Sequence, residues 1–349
     1  MAESVTVLMP ALNEEEYVRG AITSLIPRDS DVDYELIVLD GGSTDRTREI
    51  VEALGEANAR IRLVPNERRS QSAAINKGAS IAKAESDIIV RADCHAEYPP
   101  EFVVRLMREL RERKAVSVVI PMRAKGLGFI QRAIAAVQNS RLGNGGSPHR
   151  STVTSRYIEH GHHAAFDRTA FLSVGGYDES ITPNEDAELD LRLTRSGARI
   201  WMCSELAITY FPRKSFGALA RQYFAHGSGR ARTVLKHRAR LQLRQVLPIG
   251  ALAVNLSSVV LGVVAGWPFF TPVVVYVAAC LGWGIVLALS ERDTACLASG
   301  LGAAVIHNSW AAGFISGSIR RLARPPGRHG SPAPAIRQPA PLHHLQRGP

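Results

Sequence analysis

The sequence predicts an α/β fold: a mostly parallel sheet flanked by helices, followed by C-terminal transmembrane helices. Three observations carry this. Short apolar runs at Val5–Met9, Leu36–Leu39, Ile61–Val64 and Ile88–Ala92 alternate with segments of helical spacing, as the buried strands of βαβ units do. Each run ends in a polar cluster, and an open parallel sheet binds its ligand beyond the carboxyl ends of its strands. Past residue 245, two uncharged apolar stretches are each long enough to cross about 30 Å of hydrocarbon.

In chain order, Glu15–Ile26, Asp45–Leu54 and Gln71–Ala84 are the expected helices between the first strands. Asn13 is placed to cap the first, with Glu14, Glu15 and Glu16 in its first turn, and Ser43 or Thr44 to cap the second. A helix over Glu101–Arg113 follows Pro99-Pro100, then a strand at Val116–Ile120 and an apolar helix over Phe129–Ser140. That helix runs into Gly143-Asn144-Gly145-Gly146, read as a flexible loop, and Ala164-Ala165-Phe166 reads as a short strand. An amphipathic helix starts near Asn184, with four carboxylates in six residues where the N-terminal dipole favours negative charge.

Composition narrows the function classes. The 349 residues, 46% of them hydrophobic, suffice for one large domain and an appendage. Cys94, Cys203, Cys280 and Cys296 form no C-x-x-C pair, which argues against a zinc ribbon or disulfide framework and for a reducing compartment. No apolar leader segment stands at the start, so the N-terminus is expected in the cytoplasm. The net charge is +10, and Arg213 to Arg244 holds nine Lys/Arg with no Asp or Glu. Such a run suits anionic lipid or a polyanionic substrate. It abuts the membrane spans and no nucleic-acid module accompanies it, so nucleic acid is not an expected partner.

The strand ending Arg91-Ala92-Asp93-Cys94-His95 delivers a carboxylate and an imidazole two residues apart, able to face one ion with the oxygen and nitrogen donors that suit Mg²⁺ or Mn²⁺. A strand closing in an Asx-type turn would use the same residues. Asp40-Gly41-Gly42-Ser43-Thr44-Asp45, after the second strand, can turn tightly against a ligand while Asp40 and Asp45 accept from a base or ribose; it also makes a good turn with a helix cap. No G-x-G-x-x-G follows the first strand and no P-loop occurs, so a dinucleotide or ATPase site lacks its phosphate cradle. His160-Gly161-His162-His163 lacks the spacing of a zinc site and is expected near the substrates instead.

Together, Pro10-Ala11-Leu12-Asn13-Glu14, Asp40-x-x-Ser43-x-Asp45, Asn76-Lys77-Gly78, Asp93-x-His95 and Glu185-Asp186 resemble the successive motifs of family 2 glycosyltransferases. The resemblance implies a GT-A fold, a Rossmann-like, mostly parallel sheet, and a UDP-sugar donor. By position it implies that Pro10, Asn13, Glu14, Asp40, Asp45 and Lys77 bind the nucleotide sugar, and that Asp93 holds Mg or Mn on the diphosphate. His95 stands where the family more often has a second Asp, and an imidazole there suits the ion or the sugar. Asp186 takes the place of the catalytic base, which removes the proton from the acceptor hydroxyl in a single inverting displacement. Tyr210-Phe211-Pro212-Arg213-Lys214-Ser215-Phe216, Arg221-Gln222-Tyr223-Phe224-Ala225-His226-Gly227 and Gly229-Arg230-Ala231-Arg232 are similar to the bacterial exopolysaccharide glucosyltransferases of this family. That likeness implies glucose transfer onto a lipid-linked saccharide, with Glu185, Arg221, Gln222, Tyr223 and Arg230 near acceptor or phosphate. The same basic segment also reads as an amphipathic helix on the membrane, Tyr223 and Phe224 in the interface.

The expected division is residues 1–244 as the catalytic domain, with 1–95 as its nucleotide-sugar half and 96–244 as the acceptor half, then 245–320 as the membrane region and 321–349 as a disordered Arg/Pro-rich tail. Val246–Ala265 and Trp267–Leu289 form a hairpin turning at Gly266-Trp267-Pro268. Ala295–Ile319, interrupted by His307, Asn308 and Ser309, is expected re-entrant or packed on the catalytic domain, because a third crossing would put Arg320, Arg321, Arg324 and Arg328 outside. The protein is thus expected in the cell inner membrane with its catalytic domain cytoplasmic.

Overall fold

The computed structural model describes residues 3–28, 32–96, 98–147 and 154–323; the tail from 324 lies outside the described residues. An eight-stranded sheet runs in the order β3-β2-β1-β4-β8-β5-β9-β7. Its first half comprises β1 (Glu3–Ala11), β2 (Val32–Asp40), β3 (Ile61–Pro65) and β4 (Ile88–Arg91), all parallel. Beside β4 lies β8 (His162–Asp167), antiparallel to both β4 and β5 (Ser117–Ile120), and then β9 (Ile200–Met202) and β7 (Arg156–Ile158). Ala164, Ala165 and Phe166 are fully buried in this central antiparallel strand, as their uninterrupted apolar run requires. A small parallel pair joins β6 (Met122–Ala124) to β10 (Ile208–Tyr210).

Register aligns the strand ends. Ala11 pairs with Asp40 and Asp40 with Pro65, while Leu8 pairs with Arg91, so the polar clusters after β1, β2, β3 and β4 meet along one rim. One face of the sheet, through Val5, Val7 and Met9, packs on α1 (Val18–Leu25) and α4 (Phe102–Glu112). The other, through Leu8, Ile37 and Leu39, packs on α3 (Gln71–Ile81) and on Leu189 and Leu193 of α8 (Glu185–Arg195). Gly78 permits the first of these contacts: a Cβ there would stand 2.6 Å from Leu8 Cδ2.

Two expected caps are used otherwise. Helix α1 starts after Tyr17, and Asn13, at φ +56°, accepts at Oδ1 from the Thr44 amide at 2.8 Å. Helix α2 (Thr47–Ala57) has Asp45 accepting from Thr47 N at 3.0 Å, while the Ser43 hydroxyl donates to Asp40. The competing rule is that Asn and Ser bond equally well to a neighbouring loop, and here two loops stitch to each other. Helix α5 (Phe129–Asn139) is followed by a one-turn helix, α6 (Arg141–Asn144), capped by Ser140, so Gly143 and Asn144 are helical rather than loop. A short α7 spans Arg168–Ser173.

The C-terminal part comprises α9 (Phe216–His237), α10 (Leu243–Ala265), α11 (Thr271–Glu291) and α12 (Ser299–Ala323). Among the described residues two helical stretches are long and apolar enough to cross a membrane, Leu243–Ala265 and Trp267–Glu291, joined through Gly266 at φ +108° and a 3₁₀ turn over Trp267–Phe270. Helix α12 instead lies along α9. A Cβ on Gly227 would stand 2.0 Å from the Trp310 carbonyl, one on Gly313 2.0 Å from the Phe224 carbonyl, and one on Gly317 2.9 Å from Ser228. Only glycine allows backbones this close. The membrane-region helices also bond to α5 and α6, with Ser299 Oγ donating to Ala133 O, Trp283 Nε1 to Ser140 Oγ, and Arg132 pairing with Asp293. Ile134, Val137, Leu219, Cys280, Ala303 and Ile306 form one apolar cluster, drawing on both sides of the boundary expected at 244.

Candidate active site

The rim of β1–β4 opens into a cleft of about 210 Å³ lined by Pro10, Glu14, Gly41, Asn66, Arg69, Gln71, Asp93 and His95. Asp40, at the end of β2 and outside the lining itself, accepts from the amides of Gly42 and Ser43. That arrangement fixes the Gly41-Gly42 turn, with Gly42 at φ +89° facing the Arg69 guanidinium. Asp45 accepts from the Glu15 and Thr47 amides and so ties the two loops together. Lys77 sits elsewhere: its ammonium bonds to Pro65 O and Glu67, and it does not line the cleft.

Asp93 accepts from Gln71 Nε2 at 2.8 Å on one oxygen, and its amide donates to the Tyr98 hydroxyl. His95 is half exposed and turns Nδ1 to Glu14 Oε1 at 3.1 Å; that bond is the main reason its pKa is raised. These oxygen and nitrogen donors fit Mg²⁺ or Mn²⁺, which take few protein ligands and fill the rest of their shell with phosphate and water. Asp93 fits as the carboxylate ligand, and His95 would present Nε2.

Asp186, in the first turn of α8, meets the same cluster from the opposite side. Buried Arg91 donates to Asp186 Oδ1 at 2.5 Å, Tyr177 Oη donates to it at 2.9 Å, and Arg91 Nε lies 3.8 Å from Asp93. Burial works against the charge on Arg91, but Asp186 and Asp93 outweigh it and hold the guanidinium charged. Between the two carboxylates stands His162: Nε2 is 3.7 Å from Asp93 Oδ2 and Nδ1 is 3.7 Å from Asp186 Oδ2. Glu185, the neighbour of Asp186, is buried with Oε2 unpartnered, and burial together with Asp186 raises its pKa.

The loop before α8 is held from two directions. Asn76 accepts from Tyr177 N and donates to Tyr177 O, which gives the Asn76-Lys77-Gly78 step a packing role. From the other side α9 binds the loop: Arg232 donates to Ser180 O and Thr182 O, Lys236 pairs with Asp178, Asn184 donates to Thr233, and His237 bonds to Glu188. Part of the basic run expected at a membrane therefore holds the acidic loop. Arg221 is exposed with its guanidinium folded back toward Gly217. Gln222 donates to Tyr210 Oη, and Tyr223 packs into the cluster around Ile134 and Val137 instead of an interface. Arg230 lies near Arg244, its Nε buried without a partner. Arg91 and Tyr177 are what sequence reasoning left without roles; His162 was expected only as one of a histidine cluster near the substrates, and the structure puts it between Asp93 and Asp186.

A parallel sheet with one antiparallel strand at its centre and carboxylates converging beyond β4 define a GT-A transferase site. The chain belongs to glycosyl transferase family 2, whose family model matches residues 6–175. It is 41% identical to the succinoglycan biosynthesis protein ExoA of Rhizobium meliloti (strain 1021) over 89% of this chain and 94% of that one. A Methanococcus voltae protein, dolichyl N-acetyl-alpha-D-glucosaminyl phosphate 3-beta-D-2,3-diacetamido-2,3-dideoxy-beta-D-glucuronosyltransferase, is 23% identical over 90% of this chain and 97% of its own. The mannosyltransferase PcManGT from Pyrobaculum calidifontis, solved with GDP-Man and Mn²⁺, shares the fold at a TM-score of 0.57 and 18% identity, over 88% of this chain and 87% of that chain.

Proposed function

We propose that this glycosyltransferase moves a hexose, glucose from UDP-glucose, onto a lipid-linked saccharide in bacterial exopolysaccharide assembly, with inversion. The observation that carries the mechanism is the placement of Asp93 and Asp186 on either side of His162 and Arg91. The nucleotide lies in the cleft between Pro10, Glu14 and the Asp40 turn, with its diphosphate toward Asp93. Asp186 takes the acceptor proton at Oδ2, the oxygen turned toward His162, as the hydroxyl oxygen bonds to the anomeric carbon and the bond from that carbon to the diphosphate breaks. Arg91 and Tyr177 hold Asp186 in place through its other oxygen. A divalent ion, held by Asp93 with His95, would supply charge stabilisation to the leaving phosphate. Likeness to the succinoglycan biosynthesis protein supports a place in exopolysaccharide assembly, the glucose donor rests on the resemblance of the sequence motifs, and the archaeal relative's name, with a dolichyl-linked acceptor, supports a lipid-linked one.

The protein sits in the cell inner membrane through α10 and α11, with the catalytic domain in the cytoplasm. Helix α12 runs parallel to α9, which touches the acidic loop, so two spans keep Arg320 and Arg321 on the catalytic side. The test is a panel of radiolabelled nucleotide sugars with membranes containing the protein, read as label in the lipid extract. UDP-glucose alone should give a labelled saccharide lipid. Label from another donor, or in a monosaccharide phosphate lipid, would reject the assignment.

A further inference from the structure

A second pocket, of about 430 Å³, lies where the chain enters α10, lined by Gly146, Arg156, Tyr157, Glu159, His160, Gln242 and Arg244. Arg244 packs its stem over Gly145, where a Cβ would stand 3.2 Å from Arg244 Cβ. Arg230 of α9 does not line the pocket; burial first, and then the charge of Arg244, lowers its pKa. Among the described residues neither guanidinium has an ion pair, Arg230 Nε is buried without a hydrogen-bond partner, and Glu159 is the carboxylate whose charge Arg244 feels. Arg156 and Arg244 both line the pocket, and planar guanidinium forks suit phosphate oxygens. The N-terminus of α10 adds its positive end to the same place.

Position identifies the anion. Leu243, Val246 and Leu247, directly beyond the pocket, are exposed apolar side chains at the start of a membrane-length helix. On the other side, His160 bonds to Asp190 at 2.7 Å, and two residues on, His162 faces Asp186. Asp186 and Asp190 lie on one face of α8, about 6 Å apart along its axis. We infer that this pocket holds the diphosphate of the lipid-linked acceptor, its polyprenyl chain leaving along α10 and its saccharide passing the partly exposed His160 and His162 toward Asp186. The inference rests on the transferase reading for the acceptor, and on the pocket itself for the phosphate.

The test is binding rather than transfer, so the identity of the sugar does not enter. Full-length protein in neutral-lipid nanodiscs is titrated with farnesyl diphosphate under saturating UDP, and with farnesol as the uncharged control. Farnesyl diphosphate should bind, farnesol should not, and Arg244→Gln should weaken binding at least tenfold while UDP affinity stays at the parent value. If that variant fails to fold, judged by lost UDP binding, Arg156→Gln at the exposed rim should still weaken the probe several-fold. Parent-like affinity in the variants would overturn the inference. So would displacement of the probe by UDP, which would put it in the donor cleft, or by phosphatidylglycerol, which would make the pocket a general anionic-lipid site. Failure of UDP-glucose in the transfer panel with success here would reject the donor and leave this pocket standing.

Discussion

Asp186 bonds to Arg91 and Tyr177 through one oxygen and faces His162 with the other. Asp186→Asn preserves that shape and removes the base, so turnover should fall on the order of 10²–10⁴-fold while UDP affinity, measured by titration calorimetry, holds. Near-parent turnover would take the role of base from Asp186. Chelation by EDTA should abolish transfer and added Mn²⁺ or Mg²⁺ restore it; full activity after chelation would remove the metal from the mechanism. Glu185 gives a pH signature. Its carboxyl titrates higher in the folded chain than in the unfolded one, because burial and Asp186 oppose ionisation more than Arg91 favours it. Its ionisation therefore costs stability as pH rises from the ordinary Glu range through the raised value. The melting temperature of Glu185→Gln, relative to the parent, should climb across that window and level off above it. A pH-independent difference would mean that Glu185 ionises as it would in water. Asp93 and Asp186 were legible because each stands in a motif at the end of a strand or the start of a helix. Arg91 was not: inside an apolar run it reads as a strand residue, and its partners Asp186 and Tyr177 lie 95 and 86 positions away.

At the scale of elements, alternating apolar runs and helical spacings located all four strands of the parallel half of the sheet, β3 and β4 to within one residue, while β1 and β2 extend beyond their apolar runs, β2 starting at Val32 rather than Leu36. They could not reveal that β8 runs antiparallel between β4 and β5, since burial on both faces looks the same in either direction. Nor could they separate the two uses of a basic helix. A charge run binds membrane or protein alike, and the partners of Lys236 and His237, Asp178 and Glu188, are distant in sequence. Lys77 lies off the cleft for a related reason, the Pro65 carbonyl and Glu67 being within reach of its ammonium. The close crossing of α9 and α12 is testable by size. Gly227→Leu must drive a side chain into the Trp310 backbone and should cost about 1–3 kcal/mol or more, seen as a lower melting temperature of the protein in detergent. Gly282→Leu, with open space around it, should stay within about 0.5 kcal/mol of the parent. Equal losses at both would mean the two helices are not pressed together.

For the whole molecule, the proposed topology of two crossings puts the catalytic domain and the end of α12 on one side of the bilayer. A cysteine at Leu322, exposed at the end of α12, in a background lacking Cys94, Cys203, Cys280 and Cys296, should resist an impermeant maleimide in intact cells and react after permeabilisation. Reaction in intact cells would establish a third crossing.

The contacts of α9 carry one more consequence. Gly229 lies against the Pro183 carbonyl, one residue before Asn184 and three before Asp186, while Gly227, a half-turn away, lies against α12, and α12 is seated on α11 through the Gly300–Cys280 contact. A change of tilt in the hairpin thus reaches Asp186 through an unbroken line of backbone contacts with no compressible side chain between them. Hydrophobic mismatch tilts membrane helices. Acyl-chain length should therefore tune catalysis: turnover in nanodiscs should peak at one bilayer thickness and fall on either side, while affinity for the nucleotide stays flat.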